Sequence, residues 1–261
     1  MSRFSNLEFE SDGDGELRQR PSGGGAPKDA AFFLHEAQTA FEEGDFERAL
    51  RSYSRVLEFD PQSPIAWTGQ VRMLIELGEF REAKVWADKG LEAFPHEPDL
   101  LAAKAVSLAR TGDLQAAMAF SDASFEERGH TPYRWIARAD VLLARQETRA
   151  DFCFEKAVSA EPANWFIRWL IARVEFYYDR FVLALKTAQD ALVLDATRAV
   201  LWLQLGLCQR QLGLISAASA SIDRARQLNP KYAAANAARI AISKTGFGGW
   251  LQGRLRQLFS Q

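Results

Sequence analysis

The feature that most constrains this chain is a small residue that returns at a fixed interval. Six alanines follow one another at spacings of 34 residues, apart from one spacing of 33. They are Ala49, Ala83, Ala117, Ala150, Ala184 and Ala218. A second set of positions, which closes each interval, keeps the same spacing: Pro61, Pro95, Gly129, Pro162, Ala196 and Pro230. A period in the range of about 20 to 50 residues indicates an array in which each copy is one supersecondary unit.

The clearest copy spans residues 199–230 and has the pattern of two short helices. Trp202 and Leu205 are three residues apart, so they share one helix face and can be buried together. Gly213 separates the two helices, because glycine readily adopts the positive φ that ends a helix. Pro230 closes the second helix, because proline cannot continue one. Each copy is therefore expected to be a helix–turn–helix.

This copy resembles the tetratricopeptide repeat, a 34-residue pair of antiparallel helices. The matching positions are Trp202, Leu205, Gly206, Ala218, Ala225 and Pro230. Gln209 and Ile222 depart from the family pattern, which has aromatic residues at their positions. The resemblance covers residues 30–244. It implies an all-α, right-handed superhelical solenoid of about six helix pairs with a C-terminal capping helix.

Three local departures lead to expectations about the turns. Gln146 and Asp179 stand where other copies have the turn glycine, so they are expected to adopt its backbone conformation. One residue is missing before Ala150, compared with the other copies. This deletion predicts a tighter loop at that point.

The two ends of the chain differ in composition from the repeats. Residues 1–29 are rich in glycine and carry six acidic and four basic residues, which predicts a disordered arm. Residues 245–261 begin with a glycine hinge and continue as a short basic amphipathic segment, from Trp250 to Phe259. Three roles stay open for this segment: folding back on the solenoid, docking a protein, or peripheral contact with an anionic membrane surface. The last role would suit a membrane-associated assembly factor.

Composition limits the classes of function. The net charge of −2 argues against a general nucleic-acid binder, which would carry a basic excess. Cys153 and Cys208 fall in predicted helices of different repeats, where buried, inert thiols fit a reducing compartment. We therefore expect a cytoplasmic location.

The sequence predicts no catalytic centre. Its three histidines, His35, His96 and His130, lie in three different repeats and lack metal-ligand spacing. Neighbouring acidic residues fall near predicted helix ends, where charge is solvated. We expect no enzyme activity, no metal and no cofactor.

The resemblance also points to a binding surface. In the family, the first helix of each pair lines a concave groove that binds peptides or partner helices. Placed on that pattern, this chain has a mixed apolar groove with isolated arginines toward its C-terminal half. The candidate partner-binding residues are Arg72, Asp140, Trp169, Arg173 and Arg210. The resemblance thus implies a protein-interaction scaffold or adaptor.

Trp169, Arg173 and Arg210 are expected to converge on one patch. An exposed Trp169 would offer a flat apolar surface beside guanidinium groups that bind carboxylates bidentately. The alternative is that Trp169 belongs to the core and the arginines are solvated. Both alternatives are open from the sequence alone.

Overall fold

The computed structural model describes residues 29–243, and this part of the chain contains thirteen α-helices and no strand. The expected all-α helical repeat is confirmed. The helices divide into two compact units, unit 1 ending at His130 and unit 2 beginning at Thr131. The arm and the amphipathic segment predicted at the two ends lie outside the described residues.

Unit 1 consists of three helix pairs. They are α1 (Ala30–Glu42) with α2 (Phe46–Phe59), α3 (Pro64–Glu76) with α4 (Phe80–Ala93), and α5 (Pro98–Thr111) with α6 (Leu114–Glu126). Each second helix also packs on the first helix of the next pair, α2 on α3 and α4 on α5, and the first helices α3 and α5 touch. Each pair therefore buries its apolar side against its neighbours, as repeat arrays do.

Unit 2 repeats this arrangement and adds a final helix. Its helices are α7 (Pro132–Ala144), α8 (Ala150–Ala160), α9 (Trp165–Tyr177), α10 (Phe181–Leu194), α11 (Ala199–Gln211) and α12 (Ile215–Leu228). A last helix, α13, covers residues 233–243 and buries Ala235, Ala238 and Ile242. Ile240 is exposed on the same helix, so α13 covers the array with one face only, as expected of a cap.

Several helices begin at a capping residue that the sequence supplies. The side chain of Thr131 accepts a hydrogen bond from the backbone N–H of Arg134, and Pro132 follows as the first helical residue of α7. Asn164 caps α9 in the same manner, accepting from the N–H of Phe166. Such caps satisfy backbone donors that the first turn leaves unpaired. They fix where α7 and α9 start.

The turns that lack glycine keep the glycine conformation. Gln146 and Asp179 have φ values of 59° and 58°, close to the 78° of Gly213. The expectation that they replace the turn glycine is confirmed. A side chain in this left-handed region costs about 1 kcal/mol or more, so the surrounding repeat imposes the conformation.

The predicted tightening of the loop before Ala150 is wrong. Residues 145–149 form a five-residue connection, whereas residues 178–180 connect the next pair with three. The helix is shortened instead of the loop: α8 has 11 residues, whereas α10 has 14. The deletion therefore falls within the part of the repeat that forms the start of α10. Within the longer loop, Glu147 accepts hydrogen bonds from both Arg145 and Arg149, at 2.7 Å each.

Gly206 lies where α11 and α12 approach each other closely. A Cβ atom on Gly206 would lie 2.6 Å from Cγ1 of Ile222 and 3.2 Å from the carbonyl oxygen of Ala218. Because α11 and α12 cross at this point, a larger residue would force them apart. Trp202, predicted to be buried, is only half-buried, and its indole N–H donates to the carbonyl of Ala196 at 2.8 Å.

Candidate protein-binding surface

The first helices of unit 2 form the surface predicted to bind a partner. Within unit 2, α9 contacts both α7 and α11. Two of the predicted partner-binding residues on these helices, Asp140 and Trp169, are in fact buried, and so are Ile136 and Leu203 on the same helices. Arg173 and Arg210 remain half-exposed. The candidate residues that reach solvent on this surface are therefore two arginines, above a buried layer that is mostly apolar.

Trp169 is not an exposed anchor. Its side chain is 1% exposed, so the expectation of a flat indole surface is wrong and the core alternative holds. The reason is that α9 packs on α7, α10 and α11, which cover the middle of the helix. Phe166 adds a ring 5.4 Å from that of Trp169, and Trp165 lies 5.5 Å beyond Phe166. Trp169 thus ends a row of packed aromatic rings.

Arg173 lies over this buried ring. Its guanidinium carbon is 5.3 Å from the centroid of Trp169, one helical turn away on α9. A cation at this distance is attracted by the ring quadrupole, with a contribution of about 0.5–1 kcal/mol. The indole therefore orients the guanidinium of Arg173 although it does not reach the surface itself.

Arg210 lies on the neighbouring first helix. It belongs to the last turn of α11, where a cation interacts favourably with the negative end of the helix dipole. Among residues 29–243 its side chain forms no ion pair. The adjacent Gln209 is held by α12, because the hydroxyl of Ser221 donates to its side-chain oxygen at 2.8 Å. Arg210 is therefore a half-exposed cation on a fixed helix end.

Asp140 has a structural contact. It is 2% exposed, and its carboxylate accepts a hydrogen bond from the hydroxyl of Tyr178 at 2.7 Å. Tyr178 directly follows α9, so this bond ties α7 to the end of α9. Any effect of Asp140 on a partner would act through the spacing of these two helices.

Arg72 belongs to unit 1. Its guanidinium carbon lies 5.0 Å from the ring centroid of Phe41 on α1. The buried Tyr53 is close by: burial raises the pKa of its hydroxyl, and the positive charge of Arg72 partly opposes this. Arg72 therefore repeats in unit 1 the arrangement of Arg173, a guanidinium over an aromatic ring.

Sequence reasoning missed Glu175, a buried carboxyl group on α9. It is 4% exposed and accepts a hydrogen bond from the hydroxyl of Thr187 on α10 at 2.8 Å. Burial raises the pKa of Glu175 to about 7, against the opposing effects of Thr187 and Arg180. The repeat period contained a signal, since Glu175 and Thr187 precede Gln209 and Ser221 by 34 residues each. Both pairs join the two helices of a repeat.

Two thiols and an amide are also among the buried groups. Cys153 and Cys208 are buried and free of disulfides, as predicted. Burial raises the pKa of Cys208 to about 11 and also raises that of Cys153, so both stay protonated at neutral pH. In unit 1, the amide of Gln70 is fully buried, and neither its oxygen nor its nitrogen has a hydrogen-bond partner among the described residues.

Two searches of the described residues gave negative results. Within residues 29–243, no group of three or more His, Cys, Asp or Glu side chains is arranged to hold a metal ion. None of the helices in that range combines the length and the apolar character needed to cross a bilayer. The candidate membrane segment from Trp250 to Phe259 lies outside the described residues.

The sequence was compared with models of known protein families, and one family matches part of it. Residues 40–107, which span parts of α1 through α5, match the family model of the tetratricopeptide repeat. Residues 40–107 carry tetratricopeptide repeats. Past the matched residues, the helix pairs of unit 2 keep the same order of packing. No curated protein matches the sequence significantly.

Solved structures resemble this chain at low identity. A tetratricopeptide repeat protein from Parabacteroides merdae shows the same fold with a TM-score of 0.53 and 15% identity, covering 83% of this chain and 85% of that one. A thermophilic tetratricopeptide repeat protein from Thermus thermophilus has a TM-score of 0.48 and 16% identity, covering 82% and 98%. A chain of the Cut9–Hcn1 hetero-tetramer of the APC/C has a TM-score of 0.48 and 15% identity. That match covers 83% of the present chain but only 43% of the other.

Proposed function

We propose that this tetratricopeptide repeat protein is an interaction scaffold that binds a partner segment on the first-helix surface of unit 2. One observation carries the proposal: two half-exposed guanidinium groups, those of Arg173 and Arg210, stand on contacting helices above a closed apolar layer. Tetratricopeptide repeats bind peptides or partner helices with their first helices. The fold and the local charge therefore favour the same surface.

The chemistry of this surface selects an acidic partner. A guanidinium presents paired N–H donors that match a carboxylate, and charge-assisted bonds of this type are about twice as strong as neutral ones. Arg210 has no competing carboxylate among the described residues. Arg173 is oriented in advance by Trp169, which reduces the entropy lost on binding. We expect a segment with an Asp, a Glu or a terminal carboxylate.

The apolar contact with a partner cannot be the indole surface of Trp169 that the sequence predicted. Because Trp169 is buried, it cannot contact a partner face to face. The aliphatic stems of Arg173 and Arg210 cover apolar surface while their charged ends stay in water, and they supply contact area instead. An apolar residue beside the acidic group of the partner would pack against these stems.

A peptide selection tests the proposal, because the surface itself then selects its ligand from random sequences. A random peptide library displayed on phage is selected on the full chain, with counter-selection on an Arg173→Glu/Arg210→Glu variant. The matched control is Arg224→Glu/Lys231→Glu, which makes the same change in charge at two exposed positions of unit 2. We expect enriched peptides to contain a carboxylate next to apolar residues and to bind the control variant.

Two results would overturn this function. One is a selection that enriches no peptide above the level obtained on an unrelated helical protein. The other is a set of peptides that bind the folded Arg173→Glu/Arg210→Glu variant as tightly as the wild type. The second result would keep a scaffold but remove the binding surface from these arginines.

A further inference from the structure

The outer face of α10 exposes large apolar side chains. They are Val182, Leu183, Val193 and Leu194. Val182 and Val193 are 67% and 85% exposed, while Ala184, Ala188 and Ala191 on the opposite face are fully buried. Single exposed apolar residues on a surface are normal, but several on one face of a helix indicate an interaction surface.

The face has a regular arrangement. With 3.6 residues per turn, its exposed residues form two adjacent rows along the helix. The rows are Val182, Lys186, Gln189 and Val193, and beside them Leu183, Asp190 and Leu194. Apolar residues thus occupy both ends, and two opposite charges lie between them. Neither Lys186 nor Asp190 takes part in an ion pair within the described chain.

We propose that a second copy of this chain covers the face, with the two α10 helices antiparallel about a two-fold axis at the level of Ala188 along the helix. The first turn of one helix then lies against the last turn of the other. Val182 meets the partner's Val193, and Leu183 meets the partner's Leu194. A two-fold interface requires such self-complementarity, because each residue pair occurs twice.

The two charged residues in the middle of the face indicate that its partner is a second copy of the chain. Lys186 lies two residues before Ala188 and Asp190 lies two residues after it. Antiparallel packing therefore places Lys186 opposite the partner's Asp190, and the symmetry forms this pair twice. Parallel packing would bring Lys186 against the partner's Lys186. Opposite charges placed symmetrically about the middle of an apolar face suit another copy of the same helix.

The apolar face is specific to this repeat. In α4, the residues at the positions of Val182 and Val193 are Arg81 and Glu92, both exposed. On α8, Asp151 pairs at 2.5 Å with Arg180, which precedes α10, and the next residue on α8, Phe152, is 53% exposed. A contact built mainly on one helix belongs to the small end of interface sizes, so the dimer should be weak and reversible.

Sedimentation equilibrium of the full chain over a range of concentrations tests this proposal. We expect a reversible monomer–dimer equilibrium for the wild type. Val193→Asp should leave only monomer, and it should fold normally because the side chain is exposed. Lys186→Asp and Asp190→Lys should each weaken the dimer about tenfold or more, since each puts like charges opposite one another in both pairs. Lys84→Asp, at an exposed position of α4, is the control and should associate like the wild type.

The decisive step mixes the two charge variants. In a mixed dimer, Asp at position 186 of one copy faces Lys at position 190 of the other, and the second pair is also attractive. We therefore expect an equimolar mixture of Lys186→Asp and Asp190→Lys to dimerise more tightly than either alone. The proposal fails if the wild type stays monomeric at every concentration, if Val193→Asp dimerises like the wild type, or if mixing has no effect.

Discussion

The middle repeats of the two units, α3–α4 and α9–α10, use one repeat plan with different chemistry. Residues in α9 lie 101 positions after their counterparts in α3, so that Thr68 corresponds to Trp169 and Arg72 to Arg173. Both arginines lie over an aromatic ring. Arg72 uses Phe41 of the preceding repeat, whereas Arg173 uses Trp169 of its own helix. In the second of these two repeats, the arginine and the ring beneath it therefore belong to the same helix.

The enclosed polar groups differ in the same way. In α3, the buried amide of Gln70 has no hydrogen-bond partner among the described residues. In α9, the buried carboxyl of Glu175 is bonded to Thr187. An unpaired buried group costs about 1–3 kcal/mol, whereas a paired one is nearly neutral. The repeat period thus decides which positions are buried, and the individual residues decide how costly that burial is.

The largest expected effect is on Trp169. Trp169→Ala removes a fully buried ring and should lower the free energy of unfolding by about 3–5 kcal/mol. Thr68→Ala, at the corresponding position of α3, should change it by less than about 1 kcal/mol, because the buried hydroxyl that is lost has no partner. Urea denaturation measures both. Amide hydrogen exchange should show unit 2 loosening before unit 1. Similar losses for both variants would remove the difference between α3 and α9.

The next largest effect is the pH dependence of stability caused by Glu175. The raised pKa of its carboxyl group determines whether stability rises or falls with pH. The pKa is about 7 in the folded protein, above the ordinary value of 4.5, so the folded state holds this proton more tightly. Its contribution to stability is full below pH 4.5 and is lost as the pH rises through 7. The loss is on the order of 3 kcal/mol.

Glu175→Gln should remove this pH dependence. The variant should unfold less readily than the wild type above pH 7, because an amide can accept the hydrogen bond of Thr187 and carries no charge. Thermal unfolding from about pH 4 to 8 checks this, with Glu155→Gln on the exposed side of α8 as the control for a lost charge. Parallel pH profiles for wild type and Glu175→Gln would contradict the interpretation of the buried carboxyl.

Gln70 gives a smaller effect in the opposite direction. Gln70→Leu replaces an unpaired buried amide with an apolar residue of similar size and should raise the free energy of unfolding by about 1–2 kcal/mol. The reverse change at the corresponding position of α9, Ile171→Gln, should lower it by a similar amount or more. Chemical denaturation of both variants tests the contrast. A destabilising Gln70→Leu would mean that the amide has a stabilising role.

Much of this fold could be predicted from the sequence. The recurrence of Ala and Pro every 34 residues fixes the helix pairs, and it predicted the positive φ of Gln146 and Asp179. These features are local to one repeat. The length of the loop before Ala150 could not be predicted, because a deletion can shorten either a turn or a helix, and here it shortened α8.

The candidate site was only partly predictable. The sequence pattern placed Arg173 and Arg210 on first helices, where both side chains are half-exposed. It did not decide the burial of Trp169, which depends on contacts from α7, α10 and α11 rather than on the sequence of α9. Glu175 was missed because a charged residue in an aromatic stretch is usually solvated, and only its partner Thr187 makes burial acceptable.

The most direct test measures the affinity of a selected peptide for three folded proteins by fluorescence anisotropy. The Arg173→Glu/Arg210→Glu variant should bind about 100-fold more weakly than the wild type, through loss of two charge-assisted contacts. Its free energy of unfolding should stay within about 0.5–1 kcal/mol, since both residues are half-exposed. Arg72→Glu in unit 1 should retain wild-type affinity. Equal affinity for all three proteins would contradict a binding surface on unit 2.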